Sequence, residues 1–173
     1  KSLSQYLSVL KDKDAWWFML FYCVTFGGFV GMASSLTIYF HDQYGLDAVH
    51  AGYFTAACVF AGSLVRPLGG YLADRIGGIR TLSAMYVLAA IFLFTLSFGL
   101  STQMAGLGVV ILAMAALGMG NGAVFQLVPQ RFRKEIGVMT GLVGMAGGIG
   151  GFYLASSLGY SKQITGSYQL GLI

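Results

Sequence analysis

Arg66 stands alone inside the apolar run CVFAGSLVRPLGGYLA, Cys58 to Ala73. In a helix over residues 51–73 it would lie about 12 Å from Asp74 at the helix end, too deep for easy snorkelling. No acid occurs in the apolar part of the chain to neutralise it. A charge at that depth is costly and marks a ligand or ion path. The planar fork of a guanidinium suits a small planar oxyanion, a geometry that lysine does not reproduce. Arg66 therefore reads as an anion ligand; the alternative is a structural arginine bonded to backbone carbonyls. Pro67 follows and removes the helical partner of the Ser63 carbonyl, so the helix should kink there. Ser63 shares a face with Arg66.

Other residues could wall such a site. Tyr22 and Phe26 are spaced i, i+4, with Phe29 on the same side; that spacing serves packing as readily as substrate contact. Thr25 and Ser34 can bond back to their own helix. Asn121, set among Gly118, Gly120 and Gly122, must find a hydrogen-bond partner in mid-membrane, either as interhelical glue or as a ligand donor. Gln126 reads as structural. Gly137, Gly141, Gly144, Gly148 and Gly151 form one helical stripe with Gly147 and Gly150 beside it. Such a stripe lets a second helix backbone approach, and its low helix propensity suits a helix that slides or shows backbone to a ligand.

GGYLADRIGGIR, Gly69 to Arg80, has a different character. Asp74 falls at the C-terminal end of its own helix, where the macrodipole disfavours it. It calls for an outside partner, such as Arg75, Arg80 or another helix N-terminus. A contact of that kind would latch one conformation and break in another. Gly70, Asp74, Arg75 and Arg80 are thus candidates for a gate.

The elements that position these residues are membrane spans. The chain is 57% hydrophobic and 9% charged, far from the roughly 25% charge of soluble domains. Residues 1–14 read as a cytosolic linker, and 15–173 as a transmembrane bundle. Spans are expected at about 15–40, 51–73, 81–100, 106–128 and 136–158, with a sixth opening at 167 and cut short. The loops on the Lys1 side hold Lys1, Lys11, Lys13, Arg75, Arg80, Arg131, Arg133 and Lys134, against Lys162 alone on the other side. The positive-inside rule then makes the Lys1 side cytoplasmic.

The same distribution argues against nucleic acid, since the cations fall in short loops rather than on one face. Cys23 and Cys58 sit in apolar segments, as small hydrophobes rather than disulfide or metal partners. No nucleophile–base pair, metal-ligand cluster or phosphate loop suggests an enzyme, and no cofactor is implied. His41 and His50 lie in an outer loop.

Gly70-Tyr-Leu-Ala-Asp74-Arg75-Ile-Gly77-Gly78-Ile-Arg80 resembles the G-x-L-a-D-R-x-G-r-[KR] signature of the major facilitator superfamily. Tyr22-Cys-Val-Thr-Phe26-Gly27-Gly28-Phe29, the Arg66-Pro67 helix, Gly118 to Pro129 and Gly144 to Phe152 resemble the second half of its nitrate/nitrite porter family. One departure is Ala155, where a proline often follows the leucine. The resemblance implies an all-α membrane protein, a half-bundle comprising helices seven to eleven of twelve and the start of the last. It implies nitrate or nitrite bound in mid-membrane between two arginines, one from each half. Arg66 would be the second-half arginine, Tyr22 and Phe26 lining residues, and Gly144, Gly147 and Gly148 positions of backbone approach and helix sliding. The N-terminal half, with the partner arginine, would lie outside this chain.

The resulting expectation is a secondary transporter of nitrate or nitrite working by alternating access, as a monomer in the cell membrane. Both exchange and proton symport occur in the family. The spans contain no acid to form a relay, which tilts toward exchange. The alternatives are a transporter of another small anion and a non-transporting membrane sensor of the same fold.

Overall fold

In the computed structural model, residues 3–172 are described, with side chains from residue 6 onward. Lys1, counted in the charge tally, and Ile173 lie outside the described residues. The chain forms α1 (Leu3–Leu10), α2 (Lys13–Tyr44), α3 (Ala48–Leu64), α4 (Arg66–Ile76), α5 (Gly78–Ser97), α6 (Gln103–Arg131) and α7 (Ile136–Thr165). A 3-10 turn, Gln169–Leu172, follows. Five segments are long and apolar enough to cross a membrane, α3 and α4 together making one of them.

Local chemistry sets the ends. Asp12 caps α2 by accepting from the Asp14 N–H, and Gly45 closes it in the left-handed region at φ 67°. The first span therefore runs past the expected 15–40 at both ends. Asp47 caps α3, accepting from the Val49 and His50 N–H groups. Its carboxyl is held below the usual carboxylate range, chiefly by a hydrogen bond with the His50 ring. Thr102 caps α6. The polar stretch 159–166, expected as a turn, stays helical to Thr165 and turns at Gly166 with φ 72°.

The second span is not one continuous helix. It breaks at Val65, and Arg66 and Pro67 open a new helix whose first turn needs no N–H from the proline. The N-terminal segment also departs from a plain linker. It forms α1, which tucks Val9 into the core.

The core divides in two along the bundle. Phe18, Met19, Tyr22, Val124, Val128, Met139 and Val143 pack at the end near α1, with Val9 and Phe132. Phe29, Met32, Leu36, Phe40, Leu96, Val110, Met114 and Leu117 pack at the opposite end. Between the clusters lies a waist of small and polar residues: Thr25, Gly27, Gly118, Gly120 and Asn121, all buried. The outward faces carry Phe60, Val87, Ile91, Tyr153 and Ile164, all more than half exposed. So much exposed apolar surface suits a lipid environment or further protein rather than water.

Candidate functional site

Two helix pairs approach at backbone distance and set the waist. On α6, a Cβ at Gly118 would come within 2.0 Å of the Gly62 carbonyl, and one at Gly122 within 2.0 Å of the Arg66 carbonyl. On α7, a Cβ at Gly150 would collide with the Cys23 carbonyl, and one at Gly27 on α2 with Gly150 itself. Glycine is required at these crossings because nothing larger leaves room for the opposing backbone.

The Arg66 side chain reaches across to α2. Its guanidinium carbon lies 4.7 Å from the Phe29 ring centre and 5.6 Å from that of Phe26. Both distances fall within cation–π range. Its Nε is buried and finds no acceptor among the described residues. Aromatic faces stabilise the charge but accept no N–H bond in the ring plane, so the donor fork is left for something else. Among the described residues no backbone carbonyl accepts a hydrogen bond from the Arg66 side chain.

Tyr22 and Phe26 stack at 4.8 Å and 7°. Phe125 of α6 meets Tyr22 edge-on at 5.0 Å. Gly147 of α7 lies beneath this pair, where a Cβ would come within 2.8 Å of both rings. Arg66, Tyr22, Phe26, Phe29, Phe125 and Gly147 thus form a single constellation drawn from α2, α4, α6 and α7. Phe125 is a wall that spacing did not single out; its place in the Gly118 to Pro129 motif was the available signal.

Asn121 is 2% exposed, and both its side-chain Nδ2 and Oδ1 lack partners among the described residues. It sits between Gly120, which faces Thr25, and Gly122, which faces the Arg66 carbonyl. Thr25 satisfies itself by donating to the Phe21 carbonyl, 3.1 Å away. Asn121 is thus a buried amide with four open hydrogen-bonding positions among the described residues.

The glycine stripe of α7 faces differently from the sequence reading. Gly147, Gly150 and Gly151 pack on α2, whereas Gly144 and Gly148 have nothing within 4 Å of a Cβ position. The helix is turned so that Ala146 and Gly147 enter the core and the 137–148 stripe lies open. Gly144 and Gly148 therefore touch none of the constellation. They line the same exposed face as Ile149 and Phe152.

The proposed gate differs in its partner. Asp74 accepts a 2.8 Å hydrogen bond from the Gln126 amide of α6, and among the described residues it pairs with neither Arg75 nor Arg80. Arg75 instead lies over the Tyr71 ring at 4.7 Å, and Arg80 is exposed. Gly70 approaches the Gly122 carbonyl, 3.7 Å from a Cβ position. Gln126, read as structural, is the outside partner that Asp74 requires.

Two ties hold the ends of the bundle, and neither was visible in local sequence. At the end near α1 Arg131 bridges Asp12, at 2.9 Å, and Asp14. At the opposite end Asp42 accepts from the Tyr168 hydroxyl at 2.9 Å and pairs with Lys162 at 3.4 Å. Among the described residues no group of three or more His, Cys, Asp or Glu side chains could hold a metal ion.

Comparison with known proteins bears on this architecture. Residues 1–155 match the family model of the Major Facilitator Superfamily. The "Nitrite extrusion protein" of Bacillus subtilis (strain 168) is 36% identical over 98% of this chain and 43% of its own length. The "Probable nitrate/nitrite antiporter NarK1" of Thermus thermophilus is 34% identical over 95% of this chain and 41% of its own length. The "Probable nitrate transporter NarT" of Staphylococcus haemolyticus (strain JCSC1435) is 31% identical over 98% of this chain and 44% of its own length. The chain thus spans less than half the length of these curated relatives. The family resemblance read from the sequence agrees with these relatives, which are named for nitrate and nitrite.

Proposed function

The chain belongs to the Major Facilitator Superfamily, and on that premise we propose that it forms the second half of a secondary transporter moving nitrate or nitrite by alternating access. The observation that carries the reading is Arg66: a guanidinium braced on Phe26 and Phe29, its buried Nε without an acceptor. A trigonal oxyanion can accept from that fork in two parallel bonds, and an apolar, aromatic surround strengthens each of them. Tyr22 and Phe26 shape the site, Gly147 lets them close over α7, and Asn121 offers amide hydrogens to the same anion. The names of the relatives support the choice of anion over an organic acid, as do walls of glycine and phenylalanine.

The open face bearing Gly144 and Gly148 is assigned to the other half of the polypeptide, which would bring a second arginine to the site. Gly144 and Gly148 then meet the anion or slide against that half as the two rock. Gly70, Asp74, Arg75 and Arg80 form a cytoplasmic latch. The Lys1 side is cytoplasmic, in the cell membrane, and the transporter works as a monomer. Nitrate/nitrite exchange is favoured over proton symport because the spans within this chain carry no acid between their charged ends.

The experiment is counterflow of nitrate and nitrite by the complete transporter in liposomes, wild type beside Arg66→Lys. Exchange by wild type, and its loss in a folded lysine variant, is the expected result. Equal flux in the lysine variant would make Arg66 a point charge at most and remove the basis of the substrate assignment. Uptake driven by a proton gradient alone would overturn exchange.

A further inference from the structure

The turn of α2 that carries Tyr22 holds a backbone carbonyl shared with another helix. The Phe21 carbonyl accepts from the Thr25 hydroxyl at 3.1 Å and from the Tyr86 hydroxyl of α5 at 2.9 Å. Because α2 runs unbroken from Lys13 to Tyr44, the Thr25 N–H is directed at the same oxygen, as residue i+4 is in an α-helix. Three donors therefore meet two lone pairs. The intrahelical bond is shared, and a threonine bonded back to its own helix in this way favours a bend. At this turn the helix alone does not fix the direction of the peptide. The donor from α5 does.

That peptide joins Phe21 to Tyr22, so the direction of its carbonyl sets the direction in which Tyr22 leaves the backbone. Tyr22 stacks on Phe26 at 4.8 Å, and Phe26 lies 5.6 Å from the Arg66 guanidinium carbon. Next to Tyr86, Met85 seats α5 on α6: a Cβ at Gly120 would lie 3.7 Å from the Met85 Cβ and 2.8 Å from the Thr25 methyl. Successive residues of α5 thus address two helices, Met85 facing α6 and Tyr86 holding α2. Phe125 of that same α6 meets Tyr22 edge-on at 5.0 Å. α5 gives no residue to the Arg66 constellation, yet it registers the two helices that supply its aromatic walls.

We propose that Tyr86 is a positioning residue for the anion site: its hydroxyl holds the Phe21–Tyr22 peptide, and through it the Tyr22 and Phe26 walls beside Arg66. The inference rests on the anion site proposed above and adds a residue that lies outside the constellation. The hydrogen bond runs between two residues of this chain, so it does not depend on what covers the bundle.

The test puts Tyr22→3-fluorotyrosine into the complete transporter and reads its fluorine NMR line in detergent, with nitrate affinity measured by calorimetry beside it. Tyr86→Phe removes one hydroxyl and leaves the Phe21 carbonyl its partners on Thr25. It should shift and broaden the fluorine line and weaken nitrate by roughly 2- to 10-fold, the equivalent of one hydrogen bond. Thr55→Val is the matched control, since it removes a hydroxyl that ties α3 to Thr37 of α2 at the same 2.9 Å, nearer the C-terminal end of α2. It should leave the line and the affinity unchanged, whatever it does to the melting temperature. An unmoved line or an unmoved affinity in Tyr86→Phe, or an equal change in Thr55→Val, would overturn the proposal. Failure of Tyr86→Phe to fold would overturn it too, because the hydroxyl would then hold the bundle rather than the site. The fluorine line needs no anion: if wild type binds no nitrate, the reading of Arg66 falls and the line still decides Tyr86.

Discussion

Gly122 of α6 lies against the carbonyl of Arg66 on α4, so closely that a Cβ at 122 would come within 2.0 Å of the oxygen. One turn away Gly118 meets the Gly62 carbonyl in the same way. Arg66, the proposed anion ligand, is therefore held from behind by a glycine, at a contact with no slack.

Gly122→Ala should separate α4 from α6. Overpacking of this kind costs about 1–3 kcal/mol, more than the roughly 1 kcal/mol that alanine returns in helix propensity. A lowered melting temperature in detergent and loss of nitrate exchange are expected. Gly108→Ala, on the same helix at a position where a Cβ meets nothing within 4 Å, is the control for stability. A Gly122→Ala protein as stable and active as wild type would show that the approach is not tight.

Phe29 supports the Arg66 charge from below at 4.7 Å. Phe29→Leu keeps an apolar side chain but removes the ring face, worth about 0.5–2 kcal/mol. Nitrate affinity, read by calorimetry on the complete transporter, should fall by roughly 2- to 30-fold. A lower melting temperature is expected as well, since Phe29 is buried in the core, so affinity is read on the folded variant. An unchanged affinity would mean that the ring only fills space.

Tyr168 makes a pH-dependent tie. Burial, and then its hydrogen bond to Asp42, pushes the phenol up to about 12, against about 10 for a free tyrosine. A raised folded value stabilises fully below about pH 10 and is lost as pH climbs through about 12. Tyr168→Phe should melt lower than wild type near neutral pH, by the equivalent of about 1 kcal/mol. The gap should close above about pH 10. A gap constant with pH would show that the ring matters and the hydroxyl does not.

Much of this organisation was legible in the sequence because membrane physics leaves few choices. A lone arginine before a proline announced the break at Val65, and the apolar runs announced the five spans. Rotation of helices about their own axes was not legible. The α7 glycines repeat every three or four residues on two adjacent stripes, and intervals alone do not say which stripe faces α2. Packing of Ala146 and Gly147 against the Tyr22 and Phe26 side decides it. Asp74 showed a similar limit: its need for a partner followed from the helix dipole, but Gln126 is 52 residues away, and only the parallel packing of α4 on α6 brings the two together. The Arg131 clamp on Asp12 and Asp14 spans still more sequence and depends on the ends of α2 and α6 meeting.

The break at Val65 has a mechanical corollary. It leaves α4 as a short rod between Val65 and Gly77, whose φ is 97°. Arg66 rides on one tip and Asp74 lies near the other, with Gly69 between them pressed against the Met119 carbonyl of α6 at 2.0 Å from a Cβ position. The Arg66 carbonyl rests on Gly122 and the Asp74 carboxylate on Gln126 of that same helix. The rod is thus pinned to α6 at three points along its length, and a displacement of α6 would carry both of its ends together.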